Sequence, residues 1–135
     1  MLNRLLTLGL LVSTALGCSS NNNSGSSIPT EAGSAIAQTL GMIQESTYGG
    51  TPLKDLKAAE SYANQFPDAV SAIKSGEIVI VWGRSLLDNA KEPQIVAYES
   101  SASSGEGWAV KEDGKLHKIG ASDIKGLPKA QSKTK

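Results

Sequence analysis

The period of the apolar residues changes at Gly76, and this change constrains the fold more than any other feature of the chain. Before Gly76, apolar residues recur every three or four positions, as on the buried face of an amphipathic helix. After it, short runs rich in Ile and Val are separated by turn residues, as in strands. Helices followed by strands predict an α+β fold, with two to three N-terminal helices and a small, mainly antiparallel four-stranded sheet.

Two helical segments precede Gly76. We expect the first to begin after Thr30, a good N-cap residue, and to end at Gly49-Gly50. Thr51-Pro52 predicts the start of a second helix, with threonine as N-cap and proline at the first helical position. Pro67 is expected to break or kink that helix, and a shorter helix then continues to Ser75.

Four strands are predicted after Gly76. Residues 78–82 are apolar on both faces, as in a central strand covered on both sides, and residues 95–98 form the next strand. Residues 108–112 and 115–119 flank Asp113-Gly114, a strong signal for a hairpin with a two-residue turn. That turn predicts three facing pairs: Glu112 with Lys115 as an ion pair, Val110 with His117, and Trp108 with Ile119. The register depends on the turn, because a slip of one residue would move His117 to the other face.

The charge composition argues against a nucleic-acid-binding protein. Thirteen Lys and Arg residues balance thirteen Asp and Glu residues, whereas a nucleic-acid-binding domain is usually basic. Aromatic residues make up 4% of the chain, too few for a base-stacking platform. No nucleic-acid partner is therefore expected.

The N-terminus has the pattern of an export signal. One positive charge at Arg4 precedes a mostly apolar run over residues 5–16, which small residues and the single cysteine, Cys18, then close. A run of about a dozen residues is too short to cross a bilayer, which requires roughly 20 apolar residues. An unpaired cysteine at this boundary requires an explanation other than a disulfide.

This segment, ending in Ala15-Leu16-Gly17-Cys18, resembles the signal peptide of bacterial prolipoproteins. The resemblance covers residues 1–18 and the polar tether behind them, and it implies cleavage before Cys18 and lipidation of its thiol. It also implies a membrane anchor, with the outer membrane favoured in a double-membrane bacterium because Ser19, rather than Asp, follows the cysteine. The family usually has leucine where Ala15 stands and a small residue where Leu16 stands, which leaves two alternatives: ordinary signal cleavage after Ala15 or Gly17, or inefficient lipidation.

The chain therefore divides into four parts. Residues 1–17 are the predicted signal peptide, and residues 18–29 are lipidated Cys18 with a flexible Ser/Asn/Gly tether. Residues 30–126 are predicted to form the small α+β domain. Residues 127–135 contain three lysines and no acidic residue, which predicts a basic disordered tail.

No motif in the domain identifies a reaction. His117 is the only histidine, no nucleophile elbow occurs, and no spacing of His, Cys or carboxylates predicts a metal site. No P-loop or dinucleotide fingerprint is present either. We therefore assign no catalytic residue, no metal ligand and no cofactor, and we interpret His117 as a strand residue at the edge of the core.

The segment Gly83–Pro93 is longer than a hairpin requires, and such loops often carry function. Trp82 and Arg84 could recognise a sugar or a peptide, because an aromatic face and a guanidinium suit such ligands. The alternative interpretation is a short surface helix with Leu86-Leu87 tucked under it.

Together these features predict a membrane-anchored lipoprotein with a non-enzymatic binding or assembly domain at the cell envelope. Its expected partners are the membrane, through the lipid, and an envelope protein or peptidoglycan. The alternative is a small envelope enzyme, or an inhibitor of one, that acts through residues 82–93. An acidic group beside His117 would favour the enzyme, whereas an exposed aromatic patch without titratable groups would favour binding.

Overall fold

A computed structural model describes residues 34–130 of the chain. Cys18, the signal peptide and the tether lie outside these residues, as does the end of the predicted tail, residues 131–135. In the described part, three α-helices precede a four-stranded antiparallel sheet with strand order β1-β2-β3-β4. The predicted α+β fold, with helices N-terminal to the sheet, is confirmed.

Three helices occupy the N-terminal half of the described residues: α1 (Ala35–Tyr48), α2 (Leu56–Glu60) and α3 (Pro67–Ser75). The N-cap of α1 is Ser34 rather than the predicted Thr30, and the Ser34 hydroxyl accepts a hydrogen bond from the Ala37 N–H. The second helix is also later and shorter than predicted, because Asp55, not Thr51, caps it. The Asp55 carboxylate accepts from the Ala58 N–H at 2.8 Å, a stronger cap than a hydroxyl provides.

The third helix matches its sequence signals at both ends. Pro67 occupies the first turn of α3, where its missing N–H costs nothing. Gly76 follows the helix with φ 83°, a left-handed conformation that terminates a helix and favours glycine. The proline therefore starts a new helix instead of kinking the preceding one.

The sheet consists of β1 (Ile78–Ile80), β2 (Ile95–Glu99), β3 (Glu106–Lys111) and β4 (Leu116–Gly120). A 3₁₀-helix over Ser100–Ser103 connects β2 to β3. The strand β1 is shorter than predicted and lies at an edge of the sheet, not at its centre, although all three of its residues are buried. The side chains of β1 are therefore buried by the layers that cover the two faces of the sheet, although β1 has a neighbouring strand on one side only.

The β3–β4 hairpin differs from the predicted register by one residue. Ala109 faces His117, Trp108 faces Lys118 and Val110 faces Leu116. The turn uses three residues, because the Gly114 N–H donates to the Lys111 carbonyl and the Lys111 N–H donates to the Lys115 carbonyl.

Backbone geometry explains the difference in register. The predicted two-residue turn would require positive φ at both Asp113 and Gly114, whereas only Gly114 has it, at 70°. A three-residue loop with glycine in the left-handed position avoids the cost of placing Asp113 there. The predicted pairs, the Glu112–Lys115 ion pair included, are therefore wrong, and His117 lies on the face opposite Val110.

Apolar side chains fill both faces of the sheet. The helices cover one face, where Ile36, Met42 and Ile43 of α1 pack with Ile80 and Val110. The 3₁₀-helix and the C-terminal segment cover the other face. The second core, between them and the sheet, consists of Val79, Ile95, Tyr98, Ala102, Ala109, Ile119 and Ile124. A Cβ on Gly107 would meet the Ala102 backbone nitrogen at 3.0 Å, so glycine at this position lets the 3₁₀-helix approach the strand.

The C-terminal segment belongs to the fold beyond the predicted domain boundary at 126. Leu127 and Ala130 pack against the second core, and the Tyr98 hydroxyl donates to the Pro128 carbonyl oxygen. Burial raises the pKa of Tyr98 above that of an exposed tyrosine, so the phenol remains a donor at neutral pH. Residues 127–130 are therefore packed, which differs from the disordered tail predicted for 127–135.

Candidate functional site

The loop between β1 and β2 is held against three other segments of the chain. It crosses one end of the sheet, the end that also carries the β3–β4 turn. Three backbone N–H groups of the loop donate hydrogen bonds: Gly83 to the Leu53 carbonyl at 2.9 Å, Leu86 to the Thr47 hydroxyl at 3.4 Å, and Leu87 to the Glu112 carbonyl at 2.8 Å. The loop therefore has a defined position although it contains no helix.

Leu86 and Leu87 point to different environments. Leu86 is partly buried and packs against the core between the helices and the sheet, whereas Leu87 is 52% exposed. The alternative of a surface helix with both leucines tucked under it is therefore wrong. An exposed leucine on a fixed loop is available for contact with another molecule.

The two predicted binding residues have different roles in the loop. Trp82 lies in a turn and is 38% exposed. Arg84 is half-buried, and its Nη1 donates to the Ile95 carbonyl at 2.8 Å. Part of the Arg84 guanidinium thus stabilises the loop against β2, and Trp82 is the residue whose side chain is free to meet a partner.

The large exposed apolar side chains of the described residues come from segments that adjoin one another. They are Tyr48, Leu56, Trp82 and Leu87, which we call the end surface. Tyr48 follows Thr47, whose hydroxyl contacts the loop, and Leu56 lies three residues after Leu53, whose carbonyl also contacts the loop. Sequence analysis identified Trp82 but missed the other three, because their exposure depends on how the segments meet.

His117 lies at the same end of the sheet and makes a hydrogen bond with Asp113. Its Nε2 donates to Asp113 Oδ2 at 2.8 Å, while Asp113 Oδ1 accepts from the Lys115 N–H at 3.1 Å. The side chains of His117 and Asp113 are 34% and 23% exposed. The three-residue turn brings the two side chains together, because Asp113 lies in the turn and His117 is the second residue of the strand that follows it.

The environment of Asp113 favours its charged form. Partial desolvation acts to raise the pKa of Asp113, but the hydrogen bonds from His117 and the Lys115 backbone and the charges of both residues outweigh it. The pKa of Asp113 consequently lies below its ordinary value. An ionised carboxylate that orients a histidine is one part of a catalytic site, but within residues 34–130 no serine or threonine hydroxyl donates a hydrogen bond to the His117 ring.

We expect Asp113→Asn to destabilise the fold modestly at neutral pH, by about 0.5–1 kcal/mol, because the pair is partly exposed. A carboxylate whose pKa falls on folding stabilises the fold above its unfolded pKa of about 4, and this contribution disappears as the pH falls through the lower, folded value. Thermal melts between pH 7 and pH 2 should therefore show the variant approaching wild type at low pH. Asp88→Asn, at an exposed loop carboxylate, is the control; if both variants have the same pH profile, the Asp113 interaction does not stabilise the protein.

No protein-family model, no curated protein and no solved structure matches this chain. The function must therefore be inferred from its own residues. Within residues 34–130, no three His, Cys, Asp or Glu side chains come together in a way that could hold a metal ion. Among the helices of that same part, none has the length and apolar character needed to cross a bilayer.

Proposed function

We propose that this protein is a lipid-anchored lipoprotein of the bacterial cell envelope whose folded domain binds another envelope protein without catalysing a reaction. The observation that carries the proposal is the end surface, where four large apolar side chains remain exposed on adjoining segments. Exposed apolar patches of this kind often mark interaction sites on soluble domains. The lipoprotein part rests on the resemblance of residues 1–18 to a prolipoprotein signal peptide.

The direction of α1 supports a partner away from the point of anchoring. The helix contains 14 residues and is therefore about 21 Å long. Ser34, the first described residue, precedes the helix on the side of the predicted tether in the sequence, whereas Tyr48 of the end surface is the last residue of the helix. Tyr48 is thus separated from Ser34 by the length of the helix, which supports a surface that is accessible to a protein neighbour.

The chemistry of the end surface suits a protein partner better than a lipid one. Tryptophan, tyrosine and leucine side chains supply large contact areas, and tryptophan and tyrosine are enriched among residues that dominate binding energy. Asp88, Lys91 and Glu92 are also exposed, so the loop that carries Trp82 and Leu87 presents charges of both signs as well. A polar rim around an apolar centre is the usual composition of a protein–protein interface.

The alternative, a small envelope enzyme, is favoured by one observation. Asp113 lies 2.8 Å from the ring of His117, which is the acidic neighbour that a catalytic histidine requires. An envelope enzyme would need His117 for its reaction, whereas a binding protein would tolerate His117→Gln if the fold is retained. Loss of an envelope phenotype in His117→Gln at unchanged melting temperature would therefore favour the enzyme over the binding protein.

Site-specific photo-cross-linking in intact cells tests the binding proposal. With a photoreactive amino acid at position 87, we expect one adduct of defined mass, and Trp82→Ala should reduce its yield tenfold or more. A tenfold loss corresponds to about 1.4 kcal/mol, which is within the range for an aromatic residue at an interface. Arg84→Ala should also reduce the yield, partly because the loop loses its contact with the Ile95 carbonyl.

The matched control places the photoreactive group at Glu77, an exposed position at the opposite end of the sheet. Adducts of equal yield at 77 and 87, or an adduct at 87 that Trp82→Ala does not change, would contradict the end surface as the binding site. Melting curves of each variant must match wild type, since an unfolded domain would also lose its partner.

A further inference from the structure

A groove lies between the end of β2, the 3₁₀-helix and the C-terminal segment. Its volume is about 450 Å³, and its lining includes Tyr98, Ser100, Ser103, Ile124, Lys125 and Lys129. We call it the C-terminal groove. The Tyr98 hydroxyl donates to the Pro128 carbonyl and so helps hold the C-terminal segment in place beside it.

The groove is separate from the end surface. Ser100 and Ser103 follow the last residue of β2, and the turn that contains Ile124 follows the last residue of β4. Both strands finish at the end of the sheet opposite the β3–β4 turn, because β2 and β4 run in the same direction in this antiparallel sheet. A ligand in the groove would therefore leave the end surface free, and its binding does not depend on the proposed function.

The lining combines positive charge with an apolar floor. Lys125 and Lys129 line the groove, and neither forms an ion pair with another residue of the segment 34–130. No acidic residue is part of the lining. Asp123, in the same turn, directs its Oδ2 to the Gly120 N–H at 2.8 Å. The groove therefore presents two ammonium groups that no carboxylate of its lining neutralises.

Hydroxyl and apolar groups complete the lining. Ser100 and Ser103 lie on one side, and the Ser103 hydroxyl donates to the Ser100 carbonyl at 2.7 Å, which leaves the Ser100 hydroxyl as the serine donor of the lining. Ile124 and Ala130 contribute carbon surface beside the second core. A volume near 450 Å³ is within the range of about 300–1,000 Å³ typical of small-molecule sites.

We propose that the C-terminal groove binds a small organic phosphate, with the phosphate near Lys125 and Lys129 and an apolar group against Ile124 and Ala130. Lysine is a common phosphate ligand because its ammonium is a compact positive charge with three donors. The apolar floor distinguishes this site from a surface that attracts any anion, since inorganic phosphate would leave the floor uncovered.

Titration of the ¹⁵N-labelled full chain with phenyl phosphate, followed by NMR, tests the site. We expect saturable shifts of the amides of Ser100, Ser103 and Lys125, and binding at least tenfold tighter than that of inorganic phosphate. The double variant Lys125→Gln/Lys129→Gln should weaken phenyl phosphate binding at least tenfold. Lys91→Gln removes one exposed lysine from the loop at the other end of the sheet and should leave binding unchanged.

A second variant separates the cavity from the charge. Ser103→Leu should obstruct the groove without removing a lysine, and it should weaken phenyl phosphate while leaving weak inorganic phosphate binding as it is. Equal effects of Lys91→Gln and of the double variant, equal affinity for phenyl and inorganic phosphate, or shifts that do not saturate would overturn the proposal.

Two sources of the phosphate can be distinguished with vesicles. If phosphatidylglycerol vesicles, but not phosphatidylcholine vesicles, displace phenyl phosphate, the natural ligand is a lipid headgroup. If neither displaces it, the ligand is a soluble organic phosphate. Both results require that the double variant binds phenyl phosphate weakly, and neither depends on cross-linking at position 87, so this site and the binding proposal can fail separately.

Discussion

Cys18→Ser is expected to move the protein from the membrane fraction to the soluble or secreted fraction. The resemblance of residues 1–18 to a prolipoprotein signal peptide implies that the Cys18 thiol carries the lipid. Each acyl CH₂ group buried in the bilayer contributes about 0.8 kcal/mol, so two or three chains anchor a protein firmly. Serine cannot form the thioether, and the anchor would therefore be lost completely. Cell fractionation followed by immunoblotting measures the result.

Mass spectrometry of the mature wild-type protein is the companion measurement. A first residue at Cys18 with the added mass of the acyl chains would support the prediction. An unmodified mass with a first residue at Leu16 or Cys18 would contradict lipidation and indicate ordinary signal cleavage after Ala15 or Gly17. Ser24→Ala, in the predicted tether, is the control substitution and should leave the protein in the membrane fraction.

Ile80→Ala is expected to have the largest effect on stability, a loss of about 2–5 kcal/mol. Ile80 is 4% exposed and belongs to the core between the helices and the sheet. Truncation to alanine removes apolar contacts and leaves a cavity that the close-packed surroundings fill only in part. Domains of this size are typically stable by about 5–15 kcal/mol, so the loss would be a large fraction of the total. Urea denaturation measures the free energy of unfolding.

Leu87→Ala is the matched control for Ile80→Ala. Both changes truncate a branched apolar side chain, but Leu87 is 52% exposed and belongs to the end surface. Its removal should change stability by less than about 0.5 kcal/mol. Equal denaturation midpoints for the two variants would show that β1 is not packed as the structure indicates. A stable Leu87→Ala protein would also be a suitable variant for measuring partner binding.

Local signals in the sequence predicted the type and order of the elements. Gly76 and Pro67 mark the ends of α3 as expected, because left-handed φ at a helix end and a proline in the first turn are properties of single residues. The same reasoning failed where several residues could act as N-cap. Ser34 and Asp55 cap α1 and α2, in place of Thr30 and Thr51.

The position of the candidate sites could be predicted only in part. Trp82 was identified from its place beside a long loop, and it is exposed there. Arg84 was identified on the same grounds, but the hydrogen bond to the Ile95 carbonyl depends on how the loop returns to β2. The C-terminal groove was not foreseen, because residues 127–135 were predicted to be a disordered tail, whereas Lys129 of that segment lines a cavity together with Lys125.

The spacing of the apolar residues by itself determined the α+β class and the order of the helices and strands along the chain. This was possible because the spacing within an element reflects which face of that element is buried. The tertiary structure alone decided the register of the β3–β4 hairpin, and with it the contact between His117 and Asp113. It also decided which large apolar side chains remain exposed on the segments that form the end surface. These features depend on contacts between segments that are distant in the sequence. The free energy of those contacts comes from packing between the segments, which a local sequence pattern does not specify.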